Sequence, residues 1–258
     1  MTQEPEYHDA MISMLELIWG PDFMAPGGEG NVDNLVRGLE VRDRRVLDIG
    51  CGLGGPAFVL AQKYEALVVG IDIDARLVEH AKRRAGELGL SARATFRAVD
   101  PGPLPFDDES FDIVLISGAL TQVEDKRGTL AECLRILRPG GWFTCYDWMH
   151  GGDGEYSEDM RYWFELEGLT YAMATPQRQL SIMREVGFDH PEVEDRSDWY
   201  RREARIEYER MRDSLYPRML ELMGKADADH FVEDWRAMVV VCEKGEMLQV
   251  YSRGQKPA

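Results

Sequence analysis

Val46-Leu47-Asp48-Ile49-Gly50-Cys51-Gly52-Leu53-Gly54-Gly55 decides how this chain folds. An apolar run of strand length breaks into glycines, and a helix-compatible segment follows. Glycines in such a loop let the backbone turn tightly and let a ligand approach where a Cβ would collide with it. A second apolar run closes on Gly70-Ile71-Asp72-Ile73-Asp74. Asp72 therefore stands 22 residues after Gly50, about where a nucleotide-binding αβ sheet places the carboxylate that holds a ribose.

Working outward, strand character recurs at 45–49, 67–71, 93–98, 112–117 and 142–147, with helices expected over 55–64, 75–88 and 126–137. Such alternation predicts an α/β fold with a parallel, doubly wound sheet. Pro139-Gly140-Gly141 predicts a turn that launches the fifth strand. Upstream, residues 3–19 predict an amphipathic helix with Tyr7, Met11, Leu15 and Ile18 on one stripe. Gly20-Pro21 stops it, Pro26-Gly27-Gly28 marks a loop, and Val32 to Leu39 predicts a second short helix. After residue 150 a Gly151-Gly152-Asp153-Gly154 loop leads to helices near 158–170 and 175–186 and a strand near 191–195. The charged segment 199–240 is expected to form a helical cap, and Met247 to Ser252 a last strand. The expected organisation is 1–40 as N-terminal lid helices and 41–150 as a Rossmann-like core. Residues 151–258 then supply substrate-cap helices and C-terminal strands of the same domain.

A chain of 258 residues can bury a full core, and 44% hydrophobic content is that of a globular protein. The 47 acidic against 30 basic residues give a formal charge of −17, a field that repels phosphodiesters. Nucleic acids and anionic membranes are thus not expected partners. No apolar run approaches the roughly 18 residues of a membrane span, and no signal peptide is seen, so a cytoplasmic location is expected. Cys51, Cys133, Cys145 and Cys242 are scattered without a C-x-x-C pair, which predicts reduced thiols and neither a disulfide framework nor a metal site.

Asp-x-Gly-x-Gly-x-Gly after a strand resembles the first motif of class I S-adenosylmethionine (SAM)-dependent methyltransferases. Leu104-Pro105-Phe106-Asp107 with Ser110-Phe111-Asp112, and Leu134-Arg135-Ile136-Leu137-Arg138-Pro139-Gly140-Gly141, resemble two later stretches of the same class. The glycine loop also suits the dinucleotide of the dehydrogenases, but three ordered motifs favour the methyltransferases. The resemblance implies a seven-stranded, mainly parallel sheet with SAM as cofactor and S-adenosylhomocysteine as product. Gly50 and Gly52 would lie against the methionine part, Asp72 would accept from the ribose hydroxyls, and Asp100 would face the adenine. Asp48 would reach the loop amides or the SAM ammonium, and Ile73 and Ser117 complete the expected cofactor contacts.

The fourth strand ends Ile116-Ser117-Gly118-Ala119, without the Asn/Asp-Pro-Pro-Tyr/Phe signature of enzymes that methylate base or amide nitrogens. Leu17-Ile18-Trp19-Gly20-Pro21-Asp22-Phe23-Met24-Ala25-Pro26-Gly27-Gly28 is similar to the N-terminal lid of phosphoethanolamine N-methyltransferases and of sarcosine/dimethylglycine N-methyltransferases. By that resemblance Tyr7 packs over the cofactor and positions the acceptor, and Met24 and Ala25 are lid residues beside SAM. Trp19, Trp148, Tyr171, Trp199 and Tyr200 become candidate acceptor-site aromatics, since aromatic faces attract a cation. The family's catalytic histidine corresponds to Gln122, its phosphate-binding arginine to Leu169, and its lysine falls near the out-of-register Lys244. A dianionic phosphate needs several cationic donors to leave water, so phosphoethanolamine itself is not the expected substrate. Tyr7, Asp147 or His150 would then accept any proton, and Gln122, in place of the histidine, completes the candidate catalytic set with Tyr7 and Asp147. The resemblance implies N-methylation of a small soluble amine by a monomer or homodimer. S- or O-methylation of a small metabolite, or a SAM-binding protein impaired in catalysis, are the alternatives.

Overall fold

The computed structural model describes residues 7–258. Its strands are β1 (Arg45–Ile49), β2 (Leu67–Asp72), β3 (Ala94–Ala98), β4 (Phe111–Ser117), β5 (Leu137–His150), β6 (Asp189–Asp195) and β7 (Met247–Gln255). They form one sheet in the order β3-β2-β1-β4-β5-β7-β6. The first five run parallel, whereas β7 lies antiparallel between β5 and β6. Val46, Leu47 and Asp48 are all buried in succession, as is the run Ile113–Ile116. Central strands of a sheet covered on both faces require such continuous burial. This is the Rossmann-like α/β arrangement that the alternation predicts.

The first helices are α1 (Asp9–Trp19) and α2 (Gly28–Leu35); α3 (Gly55–Lys63), α4 (Ala75–Glu87) and α5 (Lys126–Ile136) make the crossovers. Val46, Leu60, Val78, Ala81, Phe96 and Ile113 build the core on one face, and Leu47, Ile71, Val114, Leu130 and Phe143 that on the other. The chain then adds α6 (Glu158–Glu167), α7 (Pro176–Val186), α8 (Ser197–Arg212) and α9 (Tyr216–Glu243). A third core joins Met14 and Ile18 of α1 to Trp163, Tyr200, Phe231, Trp235 and Met238. The predicted helical segment at 199–240 is thus α8 and α9, the latter kinked at Gly224, whose φ is 80°.

Three local differences have physical causes. Positions 3–6 of the first predicted helix lie outside the described residues, and Tyr7 precedes the helix instead of riding on it. His8 is the cap, its ring nitrogen accepting from the Met11 amide at 3.3 Å. The second helix starts at Gly28, not Val32, because Gly27 takes a left-handed turn (φ 90°) and launches it early. Pro139-Gly140-Gly141, expected as a turn, is a bulge within β5: pairing jumps from Phe111↔Leu137 to Ile113↔Trp142. A bulge tolerates the proline that a regular ladder would reject. The four cysteines are free and buried.

The start of α3 is pressed against the N-terminal segment. A Cβ at Gly55 would lie 2.6 Å from the Asp22 carbonyl oxygen and 3.0 Å from its carbon. Backbone cannot yield as a flexible side chain can, and overpacking of this kind costs about 1–3 kcal/mol. Gly55→Ala should therefore lower the unfolding free energy by that amount, read as a lower urea midpoint. Gly86→Ala in α4, where a Cβ meets nothing nearer than Ser91 Oγ at 3.9 Å, should be neutral or stabilising. Equal midpoints for the two variants would contradict this account.

Candidate active site

The sheet reverses its order between β1 and β4, and the glycine loop leaves β1 at that point. Ligands of open α/β sheets bind in the crevice at the carboxyl ends of the strands, where the order switches. The Gly50 and Cys51 amides both donate to the Ile71 carbonyl, which folds the loop against β2. Gly52 has φ 50°, and a Cβ there would come 2.7 Å from the Met24 sulfur; at Gly50 it would come 2.3 Å from the Ala119 methyl. The loop therefore lies flat between the end of β4 and the N-terminal segment.

The Asp72 carboxylate accepts from the Gly52 amide at 2.9 Å and the Asp74 amide at 3.0 Å. Burial raises its pKa while those amides pull it down. Asp48 lies beneath, fully buried, with neither carboxylate oxygen hydrogen-bonded. Burial, and then the charge of Asp72, push it up to about 8. Ile73 is 62% exposed at the rim, and Asp100 is exposed just beyond β3. Ser117 ends β4 and its hydroxyl accepts from Asn31 of α2 at 3.2 Å. Glycine loop, Asp72, Ile73, Asp100 and Ser117 thus share the carboxyl side of β1–β4.

The N-terminal segment is pinned over this floor through Asp22. Its amide donates to Glu16 (2.8 Å), its carbonyl accepts from the Gly55 amide (2.9 Å), and its carboxylate accepts from Arg84 (3.0 Å). His80 faces the same carboxylate at 3.4 Å. Arg76 donates to the Tyr7 carbonyl at 2.8 Å.

Between this segment, the ends of β4 and β5 and the helical layer opens a narrow cleft. Of the sequence candidates, Tyr7, Trp19, Met24, Ala25, Gln122, Trp148 and Tyr171 line it. Gln122 Nε2 donates to the Tyr7 hydroxyl at 3.4 Å. Lys126 fixes the turn that carries Gln122 by donating to the carbonyls of Leu120 (2.8 Å) and Val123 (2.7 Å). Leu169 also lines the cleft, and among the described residues no lysine or arginine does.

Other candidates lie elsewhere. Asp147 is buried behind the wall and accepts from the Thr121 and Trp148 amides, both at 2.8 Å; burial raises it to about 7. Tyr200, 1% exposed, directs its hydroxyl to the Met238 sulfur and stands 6.3 Å behind the Trp148 ring. Trp199 packs against Gly27 and His150 against Tyr156. Lys244 is ion-paired with Asp159 at the surface. Glu167 and Gln249 also line the cleft, and no sequence motif marks either as a site residue. Gln249 faces Trp148 across the β5–β7 pairing, a register that no local motif announces.

A methyltransferase-domain family profile matches residues 47–145. An uncharacterized protein of Haemophilus influenzae is 31% identical over 174 residues, covering 66% of this chain and 68% of that protein. The chain belongs to the class I SAM-dependent methyltransferases. Phosphoethanolamine N-methyltransferase 1 of Arabidopsis thaliana is 26% identical to this methyltransferase over 242 residues, 93% of the chain and 48% of the relative. The chain thus spans about half the length of that curated relative. A Haemonchus contortus phosphoethanolamine N-methyltransferase 2, solved with phosphomonomethylethanolamine and S-adenosylhomocysteine, superposes with a TM-score of 0.91. It is 24% identical and covers 99% of this chain and 59% of that one. Among the described residues of this methyltransferase, no helix is long and apolar enough to cross a membrane.

The chain's own residues fit the cofactor: a glycine floor that a Cβ would fill, and an unpartnered buried carboxylate beneath it. Asp48 makes a test possible without any ligand. Its folded pKa, about 8, lies above the ordinary 3.8, so between those values the folded state holds a proton that the unfolded state has lost. Stability from this group is full below pH 4 and falls as pH rises through 8, with a slope of at most about 1.4 kcal/mol per pH unit. The stability advantage of wild type over Asp48→Asn should shrink from pH 5 to pH 8 in denaturation curves. Asp147 titrates in both proteins and cancels in the difference. A pH-independent gap would contradict the buried, unpaired state of Asp48.

Proposed function

We propose that this methyltransferase transfers the methyl group of SAM to the nitrogen of a small, soluble, unphosphorylated amine. The observation that carries the reading is the composition of the cleft. Tyr7, Trp19, Trp148 and Tyr171 supply aromatic walls, the Tyr7–Gln122 pair supplies hydrogen-bonding groups, and no lysine or arginine among the described residues lines the cleft to hold a phosphate. Similarity to the Arabidopsis phosphoethanolamine N-methyltransferase supports an amine acceptor, and the cleft argues against the phosphate.

When bound, SAM supplies an electrophilic methyl group on a sulfonium; the C–S bond breaks as the amine lone pair forms the new N–C bond, and positive charge passes from sulfur to nitrogen. The protein's part is alignment and exclusion of water. Gly50 and Gly52 would let the methionine portion lie on the loop, Asp72 would hold the ribose and Asp48 would sit below the amino group. Met24 and Ala25 would close over them. The Tyr7 hydroxyl and the Gln122 amide would aim the amine lone pair. Asp147 acts through backbone: its two accepted bonds tie the turn bearing Gln122 to the strand bearing Trp148. Trp199 and Tyr200 support the wall from behind.

Incubation of isotope-labelled SAM with a panel of unphosphorylated small amines should put the label on nitrogen, read by mass spectrometry. Tyr7→Phe keeps the ring and removes the hydroxyl, so turnover should fall about tenfold or more, the lower range for one catalytic group. Its melting temperature and its affinity for S-adenosylhomocysteine should change little. Label on oxygen or sulfur, or unimpaired turnover by Tyr7→Phe, would overturn the reading.

A further inference from the structure

Glu167 is the last residue of α6 and stands on the cleft wall. A carboxylate there lies at the negative end of the helix dipole, a position that disfavours its charge. Asp234 of α9 lies behind it, 1% exposed, with neither oxygen hydrogen-bonded. Burial raises the pKa of both acids, and the charge of Glu167 raises Asp234 further. Two carboxylates placed in this way cannot both ionise without a counter-charge. None of the described groups acting on them is a cation: Tyr171 faces Glu167, Trp163 faces Asp234, and Glu233 adds further negative charge.

The surroundings suit a positive guest. Tyr171 stacks on Trp163 at 5.1 Å and on Phe164 at 4.8 Å, and Trp148 stands 6.4 Å from Tyr171. The hydroxyl of Tyr171 faces Glu167, and that of Tyr146, a residue with no exposed surface that lines the cleft, faces Gln249, yet neither closes a full hydrogen bond. Those groups are desolvated and only partly satisfied, a cost that proteins rarely carry without a ligand to complete them.

We infer that Glu167, backed by Asp234, is the specificity-determining anchor of the acceptor site and selects small ammonium compounds that carry no phosphate. The inference rests on the reading of this cleft as the acceptor site and names what that site prefers. An ammonium between Glu167 and the aromatic faces gains both a charge partner and cation–π attraction. The same carboxylate also faces the charge that the nitrogen acquires on methylation, so product and acceptor share the anchor. A phosphate brought to the same place meets a carboxylate and no cation.

The test uses choline, its neutral carbon isostere 3,3-dimethyl-1-butanol, and phosphocholine, titrated by calorimetry into protein saturated with S-adenosylhomocysteine. Wild type should bind choline roughly tenfold or more tighter than the isostere, as about 1.4 kcal/mol of charge pairing gives, and tighter than phosphocholine. Glu167→Gln should lose most of that preference, and Glu167→Asp, which keeps the charge and the polar character of the site, should retain part of it. Affinity for S-adenosylhomocysteine should be the same in all three proteins. A wild type that does not prefer choline, or a Glu167→Gln variant that prefers it as strongly as wild type, would overturn the inference. The second result would assign the preference to the aromatic faces alone. Failure of wild type to bind S-adenosylhomocysteine would instead remove the cofactor reading beneath it, so the two failures are distinguishable.

Discussion

Asp22 holds the candidate site together, and it does so with every polar group it has. Amide, carbonyl and carboxylate are each bonded to a different element: α1 through Glu16, the start of α3 through Gly55, and α4 through Arg84. The residue even adopts a left-handed φ of 68° to do this. Once Asp22 is fixed, the two residues beyond it have little choice: Met24 lies on Gly52, and Ala25 lies against Gly118, where a Cβ would meet it at 3.2 Å. The height of the cleft is thus set by side chains that glycine lacks. On the other side, Trp19 donates to Glu207 at 2.8 Å and Trp235 donates to the second oxygen of the same carboxylate at 3.1 Å. The N-terminal segment is bonded to sheet and helical layer alike.

The buried acids fall into two kinds, and the difference lies in what they face. Asp22 faces an arginine, and Asp147 accepts two backbone amides. Both are occupied by structure. Asp48 accepts no hydrogen bond, and Asp234 has only the Trp163 indole turned toward it, without a closed hydrogen bond. Burying an unpaired charge costs several kcal/mol, so such groups protonate until a partner arrives. The formal charge of −17 plays no part in this distinction: most of it is exposed and screened within about 10 Å at ordinary ionic strength. On the proposed reading, a ligand is selected by the local absence of a counter-ion at two places, the cofactor floor and the cleft wall.

The legible parts of the sequence were those governed by short-range rules. Strand–helix alternation gives the parallel half of the sheet because each crossover must bury one apolar face, and the glycine loop declares itself because close approach forbids any other residue. The misread parts depend on long-range pairing. The bulge in β5 looks like a turn because Pro139-Gly140-Gly141 is turn chemistry locally, and only the ladders with β4 and β7 keep it in the sheet. Tyr7 looks helical because it falls on the stripe of Met11 and Leu15, but His8 intervenes as a cap. Tyr200 and Trp199 are aromatic like Trp148, and nothing in their spacing reveals that they stand one layer further back. Glu167, at the end of a helix already rich in acids, has the sequence appearance of a solvated charge.

The placement of the last strand explains why the helical layer and the cleft wall are coupled. β7 enters the sheet between β5 and β6 only after α8 and α9 have been made, and it pairs with β5 along its whole length. That pairing sets Trp148 opposite Gln249, two residues of the cleft wall supplied from positions a hundred residues apart. A one-residue slip of β7 would turn Gln249 to the opposite face of the sheet and take it away from Trp148. The wall is consequently as rigid as the sheet itself, whereas Glu167 and Tyr171 sit beside the helices above it. The glycine floor has no side chains with which to discriminate among acceptors. Discrimination must therefore come from the junction of a rigid strand wall with that helical layer, which is where the acid without a cation is found.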